Sequence, residues 1–379
     1  VAWVPPDDMD MADIVDRLAR DIVTMYAEAE ADLLRAIQVE LLTGDNTPGL
    51  EEMYLRMGKL RQAAREIVEG LETRMPEVVD GIMSTAIEGG RQAVVNQLSA
   101  LGITADIGIV AGTVTGSVAA TFVKVDLVNK LSDLHNRILR YPDDVYQKVV
   151  GRNVTSAILG TSTNRQSQQA SWREFLSEGV YGFVDKSGRN WNLATYTEMA
   201  SRTAIMRAWD EAHNSQMGTY GMDLVTPIVR QDACDRCARW AGKIMAIKGV
   251  AGDQQMEHAT NDGEFINVHV DSTVEAARED GFKHPNCVCV LVAYLPGLSV
   301  PADAVKHDPE LEKNREDLRA AERAVRKAKR ELALATPLEE AAYRSDLNEA
   351  RAKIRDIVKN TPQLRKRYRE QLNLGNTRR

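Results

Sequence analysis

A mainly α fold is predicted for this chain: a long helical bundle, then a small α+β Cys/His module, then a charged helical C-terminal arm. Three observations predict it. Apolar residues recur at helical spacing through most of the N-terminal half, aromatic residues make up only 5% of the chain, and all four cysteines fall between Cys234 and Cys289. Ala, Leu, Glu and Arg are common, and such side chains lose little rotamer freedom in a helix. The 379 residues suit two or three domains at ~100–200 residues each. A hydrophobic fraction of 44% is ordinary for a chain that buries a core. The pattern divides into a helical region over 1–124, a second over 125–220 with a hairpin-like turn near 181–193, the Cys/His module over 221–298, and the arm over 299–379.

From Met11 to about Leu42 the stripe Ile14, Leu18, Ile22, Met25, Ala29, Leu33, Ile37 and Leu41 predicts an amphipathic helix, closed by the turn cluster TGDNTPG. A second helix is expected from Leu50 to about Thr73. A third follows a break at Pro76, carrying Val78, Ile82, Ala86 and Val94 before it fades at Leu101-Gly102. Ile107 to Val123 is uncharged for ~17 residues, the low edge of what a bilayer requires. It is rich in Gly, Thr and Ala, and Gly108, Gly112, Gly116 and Ala120 fall four apart as a smooth seam for a neighbouring helix. A packed interior helix is therefore expected here, with no stable membrane insertion.

Helical pattern resumes from Val125 to about Ile158, with a start signal at Pro142, and the polar run TSTNRQSQQA reads as a linker or loop. DKSGRNW is a turn between strand-like GFV and WNL. Asn192 or Thr195 can cap the helix that continues through Met199, Ile205 and Trp209 to about Tyr220. Short β-prone pieces then follow: DLVTPIVRQ, GKIMAI and CVCVLVAYL. After Pro301 the pattern is helical once more. Leu311, Leu318 and Val325 are seven apart, as are Leu347 and Ile354, which predicts a helical hairpin or coiled-coil arm ending at Pro362. The net charge of −7 is uneven, about +6 from Ser299 onward and about −13 before it. Basic clusters at RKAKR and RKRYR make packaged nucleic acid or an acidic neighbour a candidate partner, through sequence-independent phosphate contacts. No basic run followed by an apolar one opens the chain, so synthesis in a reducing cytoplasm is expected.

The chemistry-bearing residues are Cys234 and Cys237 in DACDRCARWAGK, and His284, Cys287 and Cys289 in GFKHPNCVCVLVAYLPG. A C-x2-C pair grips a metal from one side. On an extended segment Cys287 and Cys289 point the same way, so both sulfurs can reach one centre. Tetrahedral zinc takes four N or S ligands, and with five candidates one of His284 and Cys289 is spare or supports the others. The expected cofactor is a structural zinc ion in a zinc-knuckle-like module. Metal-free thiols, or a disulfide formed later in an extracellular particle, are the alternatives. His258 and His269 lie in a polar loop and are left out of the site. No HExxH, phosphate loop, nucleophile elbow or kinase motif occurs, and no catalytic residues are expected.

In order and spacing, SGRNWNLATYTEMASRTAIMRAW, YGMDLV, ACDRCARWAGKI and GFKHPNCVCVLVAYLPG resemble the phage minor capsid protein 2 family, which is related in its Cys/His segment to the Mu F-type head morphogenesis proteins. The resemblance spans roughly 125–298 and extends to the charged tail. It implies a low-copy structural protein of a tailed-phage virion near the portal. Its partners would be portal or major capsid proteins, and its role head morphogenesis, with DNA packaging or ejection. Two other functions fit the same residues: a zinc-supported nuclease of treble-clef type, and a DNA-binding protein acting through its basic tail.

Overall fold

Helices account for most of the computed structural model, which describes residues 10–42, 50–103, 118–159, 164–184 and 190–364. The chain opens with α1 (Met11–Leu42), α2 (Leu50–Ala100), α3 (Val118–Leu159) and α4 (Asn164–Glu178). The hairpin β1 (Tyr181–Val184) and β2 (Asn190–Asn192) leads into α5 (Leu193–Thr219). Asn192 is the N-cap of α5, its side chain accepting from the Thr195 amide at 2.9 Å. The α1 stripe is buried at Ile22, Met25, Ala29, Leu33 and Ile37, where it meets Leu71 and Val79 of α2 and Leu131 and Ile138 of α3.

Two prolines expected at helix boundaries lie inside helices instead. α2 passes through Pro76 and α3 through Pro142. Each proline removes one backbone hydrogen bond at a cost of about 3 kcal/mol. The residues beside them offset this by burial: Met75 and Val79 around the first, Ile138, Tyr141 and Val145 around the second. Tyr141 also donates its hydroxyl to the Gly179 carbonyl at 3.1 Å. The polar run read as a linker is helical from Asn164, as the first half of α4. The Gly-rich stretch 107–117, the TGDNTPG cluster, the turn at 185–189 and the RKRYR cluster lie outside the described residues.

α5 packs against α1, α2 and α3 and is buried on nearly every side. Arg202 of α5 is in an ion pair with Asp16 of α1, and both side chains are buried. Where α2 crosses α5, Gly90 faces the backbone of Trp209 and His213 with no room for a Cβ.

Beyond α5 come β3 (Leu224–Ile228), α6 (Asp235–Ala238), β4 (Met245–Ala246), β5 (Gly252–Glu257), β6 (Phe265–Val270), β7 (Ser272–Thr273), α7 (Val274–Glu279) and β8 (Val290–Ala293). Four strands form one sheet in the order β7-β4-β3-β8, with β3 antiparallel to β4 and β8, and β4 parallel to β7; β5 and β6 form a separate antiparallel hairpin. β8 is apolar along its length because both faces are covered. Val290 and Val292 pack on Trp209 and Ala93, while Leu291 and Ala293 enter a second core with Val94 and Leu98 of α2 and Met217 of α5. The α+β module thus shares its core with the helical body.

The arm is a hairpin of α8 (Pro309–Ala333) and α9 (Glu340–Asn360). The heptad residues Leu311, Leu318, Val325, Leu347 and Ile354 form its seam. Asp308 caps α8, accepting from Glu310 and Leu311 amides at 2.9 and 3.0 Å. This hairpin lies along the body. Arg326 pairs with Glu198 at 2.7 Å and Arg330 with Glu30 at 3.6 Å, and Arg330 also donates to the Leu176 and Ser177 carbonyls. Two arginines of the RKAKR cluster therefore face protein. Among the described residues no helix is long and apolar enough to cross a membrane.

Candidate metal centre

The five residues singled out in the sequence meet in one place. Cys234 is the N-cap of the one-turn helix α6, and the Cys237 amide returns to the Cys234 carbonyl at 3.0 Å, so the C-x2-C turn directs both thiols to one side. The facing loop, Lys283 to Cys289, bends through two left-handed residues, Lys283 at φ 57° and Asn286 at φ 67°. A second tight turn follows, with the Cys287 amide on the His284 carbonyl at 2.9 Å. Directly after Cys289 the chain enters β8.

The donors form two triads that share Cys237: Cys234–Cys237–His284 and Cys237–Cys287–Cys289, each with donor atoms within 4.8 Å of one another. Cys234 Sγ is 3.1 Å from His284 Nε2, and Cys237 Sγ is 3.5 Å from Cys287 Sγ. Two thiolates on one zinc would be about 3.8 Å apart, given Zn–S of ~2.3 Å, so the Cys237–Cys287 spacing suits a shared ion, while among the described residues no four donors lie mutually within 4.8 Å. No carboxylate belongs to either triad, and this soft S/N donor set suits zinc rather than calcium or magnesium. All four cysteines are free thiols. The Cys237, Cys287 and Cys289 side chains are buried and Cys234 and His284 are half-buried. Against them lies a cavity of about 60 Å³, lined also by Arg315, Leu318 and Arg319 of α8.

Electrostatics divides the thiols. Hydrogen bonding to Cys237 and then to His284 holds the Cys234 thiol down at about 3, and the same contact with Cys234 raises the His284 imidazole. Contacts with Cys237 and Cys289 lower Cys287. Cys237 is raised by its contacts with Cys234, Cys287 and Cys289. For Cys289, contact with Cys237 lowers the thiol, but hydrogen bonding with Cys287 and burial outweigh it and the net shift is upward.

Sequence reading missed the residues that brace this centre from α5. The Asn286 amide donates to Thr203 Oγ1 at 3.2 Å, and that hydroxyl donates to the Met199 carbonyl at 2.7 Å. Lys283 donates to the Cys289 carbonyl and pairs at 2.9 Å with Asp210, which is buried and also 3.8 Å from Arg278. Burial pushes the Asp210 carboxyl up, and Lys283 and Arg278 pull it back. Thr203 and Asp210 are seven apart on one face of α5. The adjacent Arg202 and Thr203 in the run TYTEMASRT therefore have two jobs: Arg202 ties α5 to α1, and Thr203 ties it to the cysteine loop. That was the available signal, but a helix motif does not say which loop it meets. His258 and His269 stay apart from the centre. The first accepts from the Thr260 amide at 3.2 Å, and the second is 2.6 Å from Asp253 on the exposed β5–β6 hairpin.

A helical body braced against a Cys/His module defines a mainly α protein with a cluster of donors that could hold a metal ion. The chain belongs to the phage minor capsid protein 2 family, which matches residues 12–359. No curated protein and no solved structure matches it.

Proposed function

We propose that this chain is a minor structural protein of a tailed-phage head, seated near the portal and acting in head morphogenesis and in DNA packaging or ejection. The family match over 12–359 carries this reading. It covers the helical body, the Cys/His module and the arm together, not the cysteine motif alone. The protein would reside in the virion after assembly in the host cytoplasm, with portal and major capsid proteins as neighbours. In this role the Cys/His centre is a structural zinc module. It carries five N/S candidates for four positions, so protein ligands alone can close the coordination sphere and leave no place for a reactive water. A non-catalytic role follows from that supply of ligands.

Mass spectrometry of purified heads, with a particle map, tests the reading. A low-copy presence next to the portal is expected, and absence of the chain from mature heads would overturn it. Contact with packaged DNA is assigned to residues 365–379, which carry six basic side chains against one acidic, because Arg326 and Arg330 are engaged with Glu198 and Glu30. A chain ending at Leu364 should lose a salt-sensitive DNA shift that the full chain shows. Each phosphate contact adds about −0.9 to the log–log salt slope. Retention of the shift would move the contact off residues 365–379, and a full chain that gives no shift would remove DNA from the list of partners.

A further inference from the structure

We propose that one zinc-class ion is held by the thiolates of Cys234, Cys237 and Cys287 and by His284 Nε2, with Cys289 outside the ligand set as a backbone donor to the Cys287 sulfur. This rests on the structural-zinc reading above and decides which of the five candidates serve it.

The histidine comes first. His284 Nδ1 is 2.9 Å from the Pro285 carbonyl, which can only accept, so Nδ1 carries the hydrogen. The Nε2 lone pair is then the free one, and Nε2 is the atom 3.1 Å from Cys234 Sγ. A hydrogen bond from the distal ring nitrogen to a carbonyl is the arrangement that fixes tautomer and ring direction in metal-bound histidines.

Cys289 is placed for a different task. Its amide lies 3.5 Å from Cys287 Sγ, where N–H donation stabilises a thiolate. Its carbonyl is taken by Lys283, and its next residue starts β8, so the backbone at 289 is tied on both sides. A fourth thiolate would also place a second net negative charge in a buried cluster. Of the cations nearby, Lys283 is shared with the buried carboxylate of Asp210, while Arg315 and Arg319 line the adjacent cavity. Three thiolates and a neutral imidazole leave a single net charge. Cys289 shares a triad with Cys237 and Cys287, so the assignment requires that Cys287 rather than Cys289 close on the ion beside Cys234 and His284.

The test uses the full-length chain produced with zinc. Zinc-edge X-ray absorption should give a shell of three sulfurs and one nitrogen, and the cobalt-substituted chain should show charge-transfer absorption for three thiolates. Cys289→Ser should keep one zinc per chain and the same cobalt spectrum, whereas His284→Ala should weaken zinc binding on the order of 100-fold. A four-sulfur shell in the wild-type chain would overturn the assignment and leave structural zinc standing. Loss of metal from Cys289→Ser with retention in His284→Ala would do the same. A wild-type chain that takes up no zinc would overturn both readings. Since absorption is measured on the wild type, the result holds even if a variant fails to fold.

Discussion

At the scale of single residues, two glycines of α2 make opposite predictions from known geometry. Gly90 meets the Trp209 carbonyl and has the His213 amide nitrogen 3.2 Å from where a Cβ would lie. Gly90→Ala should therefore force the helices apart and cost about 1–3 kcal/mol in denaturant unfolding. Gly81 lies in the same helix with nothing within 4 Å of that position. Gly81→Ala should stabilise by up to ~1 kcal/mol, because it only removes freedom from the unfolded chain. His213 carries a pH prediction. It is buried, stacked on Trp209 at 5.2 Å and 3.3 Å from Gln97, whose carbonyl accepts the Ala293 amide of β8 at 2.8 Å. Burial first, and then the Lys283 charge, lower its imidazole from 6.5 to about 4, against the hydrogen bond to Asn214. Above 6.5 neither state is protonated and the stability is fully present. Between 6.5 and 4 the unfolded chain takes up the proton and the folded one does not, so stability falls as pH falls. The contribution lost is about 3 kcal/mol at most. Thermal unfolding from pH 7 to 4.5 should show a steeper decline for wild type than for His213→Gln; parallel curves would refute it.

At the scale of elements, the α8–α9 hairpin depends on its heptad seam and on its anchorage to the body. Ile354 is 1% exposed in that seam, and Ile354→Ala should cost about 2–4 kcal/mol. Asp308→Ala, which removes the α8 cap, should cost about 1 kcal/mol. Arg330 is of another kind. It faces Glu30, a buried carboxylate raised by desolvation, which also accepts the Val180 amide at 2.9 Å. Arg330→Met should cost about 3–5 kcal/mol by stranding that charge, while Glu30→Gln with Arg330→Met should recover much of it. A double-mutant cycle by urea unfolding measures the difference, and additive losses would show that the pair is not coupled. The seam was legible in the sequence because heptad spacing depends only on helix geometry. The anchorage was not, since Glu30 and Arg330 are three hundred residues apart and each reads as an ordinary surface charge.

At the scale of the whole molecule, the Cys/His cluster sits where α5, the module and α8 converge, so loss of an ion from it should be felt beyond the two cysteine loops. If zinc is bound, chelation should lower the melting temperature by removing a ligand-linked stabilisation of about 4 kcal/mol at free zinc a thousandfold above Kd. It should also raise proteolysis between Lys283 and Cys289, where the loop would be left to Thr203 and Asp210 alone. An unchanged melting curve after complete metal removal would leave the module standing on its apolar core, with Val94, Leu98 and Met217 contributed by the body. That shared core is also why 221–298 was only partly readable as a unit. The cysteine spacing marks its contents, but nothing in the spacing says that α2 completes its packing.

The mainly α character of the chain around a Cys/His module needs no tertiary information to be read. Helical periodicity, the cap at Asn192, the heptads and the two cysteine pairs are local patterns, and local geometry is enough to interpret them. Pro76 and Pro142 show the limit, because a local rule ends a helix there while burial on both sides carries it through. The same limit applies at the centre. Spacing named five candidate ligands but could not rank His284 against Cys289. The ranking proposed above rests on which ring nitrogen meets a carbonyl and which amide meets a sulfur, and only folding brings those atoms together.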